Sequence, residues 1–362
     1  MAQFRAEEQY FIWLASVEGM TPARLDRLLE IYEDAGALWD SPSEALKILP
    51  PKPARALRDA RNQRYLEELL VKVERMPCRL ITRLSDEYPE PLRRIYDPPS
   101  LLYVRGNSFL AHPQQLAVVG SRQATRDGKR AAREISAGLA LHGVCVVSGL
   151  ARGIDSCAHV GALESAGRTI AVLGCGVDVV YPPENTELVE KILSNGGSLI
   201  SEYPPGTPPY ASHFPARNRI ISGLCQGVVI VEGTKKSGAM ITVDQALDQG
   251  REVFAVPGSI YAPLSEGPNQ LIFDGAMPVR SHWDILEHYG WAQLPTTNKD
   301  QAAPEGLSKE EQKLVEMLKI EEKSFDELAN LTGIPTPTLS SLLTILELRG
   351  IISKLPGRIY RA

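Results

Sequence analysis

Between Ser212 and Thr242 the chain gathers the residue types that grip phosphate. His213, Arg217, Asn218 and Arg219 form a polar, basic run. A dense apolar stretch, Val228 to Val231, then leads into a charged, glycine-bearing loop, Glu232-Gly-Thr-Lys-Lys-Ser-Gly238. Glycine lets a backbone come close to a ligand, and a helix start offers unpaired N–H groups to an anion. Turns of the same character occur upstream, at Gly120-Ser121-Arg122 and at Ser148-Gly149-Leu-Ala-Arg152-Gly153. Arg122, Arg217, Arg219, Lys235 and Lys236 supply cations, while the turns at Gly120, Gly149, Gly153 and Gly238 supply backbone donors. The chemistry these residues suit is non-covalent capture of a polyanion, and a nucleic-acid strand fits it better than a small cofactor. Single strands also need a surface on which bases stack. Phe214, beside His213, is the candidate, with a core position as its alternative.

Other chemistries are poorly supported. A dinucleotide site wants G-x-G-x-x-G after the first strand and an acid about 20 residues on. The first turn offers only Gly120-Ser-Arg122, and Gly174-x-Gly176 lacks a third glycine. No P-loop and no G-x-S-x-G elbow occurs. His142, His159 and His213 lie at unrelated spacings, so packing or hydrogen bonding is expected of each. The five cysteines (Cys78, Cys145, Cys157, Cys175, Cys225) form no C-x-x-C pair, which argues for reduced, buried thiols in a cytosol and against a zinc site. No catalytic residue, cofactor or metal is expected.

The whole chain is acidic, with a net charge of −5 over 362 residues and a pI near 5.8. It does not coat nucleic acid with its entire surface. Positive charge is concentrated in the middle: residues 117–155 hold six bases and three acids, and residues 213–238 hold four bases and one acid, +3 in each case. No apolar run has the length of a membrane helix, and the N-terminus lacks a signal-peptide layout, so a cytoplasmic protein is expected.

The elements that must position these residues follow from periodicity. Residues 1–75 read as a helical, SAM-like domain, with Phe11, Leu14 and Val17, then Leu25, Leu28, Leu29 and Tyr32, at three-to-four spacing. Gly19 supplies a turn, Thr21 an N-cap and Pro22 the first helical position. This join resembles a helix–hairpin–helix unit. It lacks a basic cluster, so a structural or partner-docking bundle is expected ahead of DNA binding. From Leu116 the pattern becomes strand, glycine turn, helix, repeated, with continuous apolar strands. That predicts a doubly wound, mainly parallel α/β sheet within a domain spanning 76–291. Ligands of such sheets bind beyond the carboxyl ends of the strands, where the small and basic residues recur. Residues 292–306 read as a linker. Residues 307–362 read as three helices and a two-stranded wing around Pro356-Gly357, a winged-helix pattern. Its third helix would present Thr336, Thr338, Ser340, Ser341 and Thr344, with no base before Arg349. With eight bases against eight acids, partner contact and weak duplex binding are equally open, and a duplex-binding regulator is disfavoured.

The motifs G-S-R (120–122), S-G-L-A-R-G-I-D (148–155), H-F-P-A-R-N-R-I-I-S (213–222), S-G-A-M-I-T (237–242) and V-P-G-S (256–259) resemble the DNA-processing protein A family, DprA or Smf. The resemblance is collinear from Asp97-Pro-Pro to about Met277. It implies an extended Rossmann-like domain that binds single-stranded DNA without catalysis. It also implies protection of incoming DNA during natural transformation, loading of the recombinase RecA, and self-association as a homodimer. Carried over by position, Arg122 of the Gly120-Ser121-Arg122 turn holds a phosphate. Ser148, Gly149, Arg152 and Gly153 form an adjoining anion nest, and Arg217, Asn218, Arg219, Lys235, Lys236, Ser237 and Gly238 complete the pocket. The apolar Leu271-Ile272-Phe273 is a candidate self-association surface, with ordinary core as the alternative. The rival reading is a nucleotide- or phosphoribosyl-processing enzyme. The related nucleotide hydrolases carry P-G-G-x-G-T-x-x-E, whereas the loop here reads E-G-T-K-K-S-G.

Overall fold

The computed structural model describes residues 4–107, 114–291, 309–320, 323–348, 352–355 and 359–361. The chain forms two compact units, Met1–Pro295 and Thr296–Ala362. The expected linker (292–306), Arg349 and the Pro356-Gly357 turn lie outside the described residues.

The first unit opens with six helices: α1 (Ala6–Ala15), α2 (Pro22–Leu29), α3 (Ala35–Asp40), α4 (Ser43–Ile48), α5 (Pro51–Ala60) and α6 (Gln63–Glu74). The join between α1 and α2 forms as the sequence predicts. Gly19 takes φ +76°, the Thr21 hydroxyl accepts from the Arg24 N–H at 3.3 Å, and Pro22 is the first helical residue. There follow β1 (Arg79–Thr82), α7 (Glu90–Arg93), β2 (Leu101–Gly106), β3 (Gln115–Val119), α8 (Arg126–Leu141), β4 (Cys145–Ser148), α9 (Ile154–Glu164), β5 (Thr169–Val172), α10 (Thr186–Ser194) and β6 (Ser198–Ser201). The unit closes with α11 (His213–Leu224), β7 (Gly227–Ile230), α12 (Gly238–Asp248), β8 (Glu252–Ala255), α13 (Glu266–Phe273), β9 (Met277–Pro278) and α14 (His282–Tyr289).

The nine strands form one sheet in the order β1-β2-β6-β5-β4-β3-β7-β8-β9. Every pair from β6 to β9 is parallel, while β1–β2 and β2–β6 are antiparallel. The central strands are buried on both faces, which is why they read as continuous apolar runs. Alternation along them assigns the layers. Ala117, Val119, Val147, Val228 and Ile230 pack with Ile220, Ile221 and Leu224 of α11 and Val243 and Ala246 of α12. Leu116, Val118, Val146 and Val229 pack with α8, α9 and α14 on the opposite face.

The sequence suggests a boundary near residue 75, but packing runs across it. Phe11, Trp13, Leu25 and Leu57 share one core with Leu80, Tyr103, Ala171 and Leu199 of the sheet. The N-terminal bundle is therefore joined to the sheet by a common apolar interior. Cys145, Cys175 and Cys225 are buried and free, while Cys78 and Cys157 are half-buried.

From β3 the chain winds outward through β4, β5 and β6, then returns to place β7 on the other side of β3. The strand order reverses between β3 and β7. In open α/β sheets the crevice outside the carboxyl ends at such a reversal is the ligand position. The turns that emerge there are Gly120–Arg122 and Glu232–Gly238.

The second unit holds α15 (Lys309–Ile320), β10 (Lys323–Ser324), α16 (Phe325–Thr332), α17 (Thr336–Leu348), β11 (Ser353–Leu355) and β12 (Ile359–Arg361), with the strands ordered β10-β12-β11. Leu314, Leu318, Leu328, Leu339, Leu343 and Tyr360 form its core. Ser324 and Glu327 make the expected capping box. Thr336, Thr338, Ser340 and Ser341 are exposed on α17.

Candidate nucleic-acid interface

Three loops meet at the reversal point and are knitted by backbone. Ser121 N–H donates to the Glu232 carbonyl at 2.7 Å, and Ile154 N–H donates to the Ser121 carbonyl at 3.2 Å. Gly153 makes the second contact possible: its φ is +79°, and a Cβ there would lie 2.3 Å from the Ser121 carbonyl oxygen. No side chain tolerates both the backbone angle and the approach.

The helix starts at this edge are not equivalent. At α8, the Glu232 carboxylate accepts from the Thr125 N–H at 2.8 Å and from its hydroxyl. Beside α9, the Asp155 carboxylate accepts from Gly149 N–H at 3.1 Å and Ala151 N–H at 3.4 Å. Both positions already hold a protein anion, so the Gly149 amide is spent internally. Ser148 is likewise an internal residue, its hydroxyl donating to the Val118 carbonyl at 2.7 Å inside the sheet. At α12 the situation differs. Ser237 precedes the helix with a buried hydroxyl that has no partner, Gly238 faces open space, and Lys235 and Lys236 are exposed beside them. A helix start without an internal anion is the one open to an external phosphate.

The cations divide in the same way. Arg122 is exposed, forms no ion pair among the described residues, and its guanidinium lies 5.7 Å from the centre of the Phe214 ring. Lys236 is also without an ion pair among the described residues, and Lys235 lies 3.7 Å from Glu266. The other arginines are engaged in the fold. Arg217 is 3% exposed, donates to the Gly149 carbonyl at 2.9 Å and to the Val172 carbonyl, and lies 5.9 Å from Phe214. Burial pushes its guanidinium down to about 10, with Asp155 pulling the other way, so it remains a cation at neutral pH. Burial also pushes the Asp155 carboxyl up, opposed by Arg217 and the two amides. Arg219 lies away from the cleft. It is bidentate to Glu202 at 2.8 Å and donates to the Asp97 carbonyl at 2.8 Å, fastening the Asp97-Pro-Pro segment. Arg152 is exposed but paired with Glu184. Spacing places these arginines among the site residues, yet it does not reveal the acids that neutralise them.

Between the loops lies a cleft of about 610 Å³, lined by Gly120, Ser121, Arg122, Phe214, Asn218 and Gly238 among others. Asp155 and Arg217 form its floor. Asn218 donates to the Gly238 carbonyl at 3.4 Å, joining α11 to α12. Phe214 is half-buried at the wall, 5.4 Å from the ring of Tyr181. Tyr181 also lines the cleft. Sequence reasoning misses it because it comes from the separate loop between β5 and α10. The three histidines singled out in the sequence are engaged in packing and hydrogen bonding: His159 is buried against Thr169, His142 contacts the Gly138 carbonyl, and His213 is stacked on Tyr203.

Fold and cleft together define a class: a Rossmann-like sheet whose reversal point carries a cleft lined by cationic and aromatic side chains, followed by a winged-helix module. A family model described as DNA recombination-mediator protein A matches residues 79–290, and one described as DprA winged helix domain matches residues 298–358. The chain is 41% identical over 310 residues to Protein Smf of Escherichia coli (strain K12), covering 83% of this chain and 81% of that one. The X-ray structure of DNA processing protein A from Streptococcus pneumoniae superposes with a TM-score of 0.67 at 37% identity, covering 78% of this chain and 98% of that one. A Helicobacter pylori DNA processing protein A, whose structure is described as giving insights into a single-stranded DNA binding mode, superposes with a TM-score of 0.53 at 30% identity, covering 58% and 95%. The chain belongs to the DNA-processing protein A (DprA/Smf) family.

Proposed function

We propose that this chain is a non-catalytic recombination mediator that holds single-stranded DNA in the cleft at the β3/β7 reversal. The observation that carries the reading is the coincidence, in one cleft, of an unpaired Arg122, an accessible Phe214 and the anion-free start of α12 flanked by Lys235 and Lys236. Phosphate would lie against Arg122, Ser121, Ser237 and Gly238, with a base against Phe214. Arg217, Arg219, Arg152 and Ser148 would act indirectly by fixing the loops. The test is titration of labelled oligo-dT against Arg122→Ala and Lys236→Ala. Each is expected to weaken binding several-fold with the melting temperature unchanged. Wild-type affinity in both would refute the site.

The finer reading is protection of incoming DNA during transformation and loading of RecA. It rests on the family and predicts that the full chain accelerates RecA filament growth on oligonucleotides covered by a single-strand-binding protein. No acceleration would remove that role while leaving DNA binding intact. Self-association is supported by three exposed apolar side chains on and next to α13: Phe273 at 86%, Ile260 at 84% and Tyr261 at 89%. Leu271 belongs to the core. Phe273→Asp is expected to shift sedimentation toward a monomer, and an unchanged profile would exclude this face.

A further inference from the structure

The cleft has a second rim whose chemistry differs from that of the first. The segment between Ser201 and Phe214 contains no lysine or arginine, and its single acid, Glu202, is held by Arg219. What the segment carries instead is aromatic. The His213 ring stacks on Tyr203 at 3.8 Å with 9° between planes, and Tyr210 meets His213 edge to face at 5.2 Å. The His213 Nδ1 is 3.2 Å from the Gly174 carbonyl, which anchors the cluster to the turn after β5. Tyr210 is 56% exposed, and both of its neighbours, Pro209 and Ala211, line the cleft. Tyr181, 37% exposed, also lines the cleft, against Phe214.

The loop that presents Tyr210 is stiff. Pro204, Pro205, Pro208 and Pro209 restrict its backbone. The Gly176 N–H donates to the Thr207 carbonyl at 3.0 Å, and the Gly206 N–H donates to Asp178 at 2.8 Å. A single exposed tyrosine is unremarkable on a protein surface. One held on a braced loop at the mouth of a groove costs little entropy to use, and a ring offers any base a stacking face.

We propose that Tyr210, with Tyr181, is a stacking site for the bases that emerge from the cleft, so that the strand is gripped by phosphate on the Arg122 side and by base on the Tyr210 side. This rests on the reading of the cleft as a single-strand site. It gives the bound strand a direction across the sheet edge and excludes a duplex from that rim, because paired bases present no free face to a side chain at the groove mouth.

The experiment uses the full chain with Tyr210→Ala, Tyr210→Phe and Arg122→Ala, titrated with oligo-dT of about 4 and about 16 nucleotides across a salt series. Tyr210→Ala is expected to weaken the longer oligonucleotide by at least about fivefold, to leave the shorter one close to wild type, and to leave the salt slope unchanged because no phosphate contact is lost. Tyr210→Phe should behave as wild type. Wild-type affinity of Tyr210→Ala for both lengths overturns the proposal and leaves the loop as a protein-contact surface. Equal loss at both lengths also overturns it, since the ring would then belong to the cleft itself. Arg122→Ala separates the two readings. If it weakens both lengths while Tyr210→Ala weakens neither, only the extension fails; if neither variant has an effect, the cleft reading fails with it.

Discussion

Arg122 and Arg217 approach the same ring, yet Arg122 is exposed and Arg217 is buried. Arg217 ties β5 and the 149–155 loop together from inside the fold, so its loss should appear in stability before it appears in binding. Arg217→Met leaves the Gly149 and Val172 carbonyls without a donor and Asp155 without its opposite charge. Breaking a buried charge constellation of this kind costs about 3 kcal/mol or more, against about 0.5 kcal/mol or less for Arg122→Ala at the surface. Urea midpoints of the two variants measure the contrast, and equal midpoints would contradict it. His159 gives a pH dependence at the same scale. The Thr169 hydroxyl donates to the Val146 carbonyl at 2.6 Å, so the His159 Nδ1 must carry the proton it shares with Thr169 at 2.7 Å. The Nε2 atom is buried without a partner, and burial pushes the imidazole down to about 3. The unfolded chain takes up a proton below about 6.5 while the folded chain does not. Stability from this group is therefore complete above pH 6.5 and lost as pH falls toward 3, with a slope of up to about 1.4 kcal/mol per pH unit. Stability measured from pH 7 to 4 should fall less steeply in His159→Gln than in wild type. Parallel curves would exclude the assignment.

At the scale of elements, the site depends on three loops held at fixed separation. Gly153 is the tightest point, since it combines a positive φ with close approach to the Ser121 carbonyl. Gly153→Ala is expected to cost about 1 kcal/mol or more and to weaken oligo-dT binding by shifting the Ser121–Arg122 turn that packs against residue 153. Intact affinity would show that the turns need not be in register. Much of this architecture is legible in the sequence. The continuous apolar strands announce a parallel sheet, the glycine turns mark its carboxyl edge, and Ser324 with Glu327 marks a helix start that forms as read. What is illegible is pairing at a distance. Nothing near Arg219 signals Glu202, and nothing near Arg152 signals Glu184. Local spacing shows where cations gather. Only the fold decides which of them stay free, because neutralising partners come from other loops. β1 is missed for a related reason: four residues ending in Thr82 carry too little periodicity, and the strand exists because β2 pairs with it.

For the molecule as a whole, an acidic chain binds a polyanion only if its free positive charge is focused where the ligand lies. The strand order places the turns after β3 and β7, which carry Arg122, Lys235 and Lys236, side by side. The winged-helix unit adds no comparable field: residues 307–362 carry eight bases and eight acids. The central claim is thus that affinity for single strands comes from a few phosphate contacts at one sheet edge. The salt dependence of oligo-dT binding measures it most directly. A log–log plot of affinity against salt should be steep for wild type and shallower by about 0.7 for each phosphate contact removed in Arg122→Ala and Lys236→Ala. Identical slopes for wild type and both variants would contradict it.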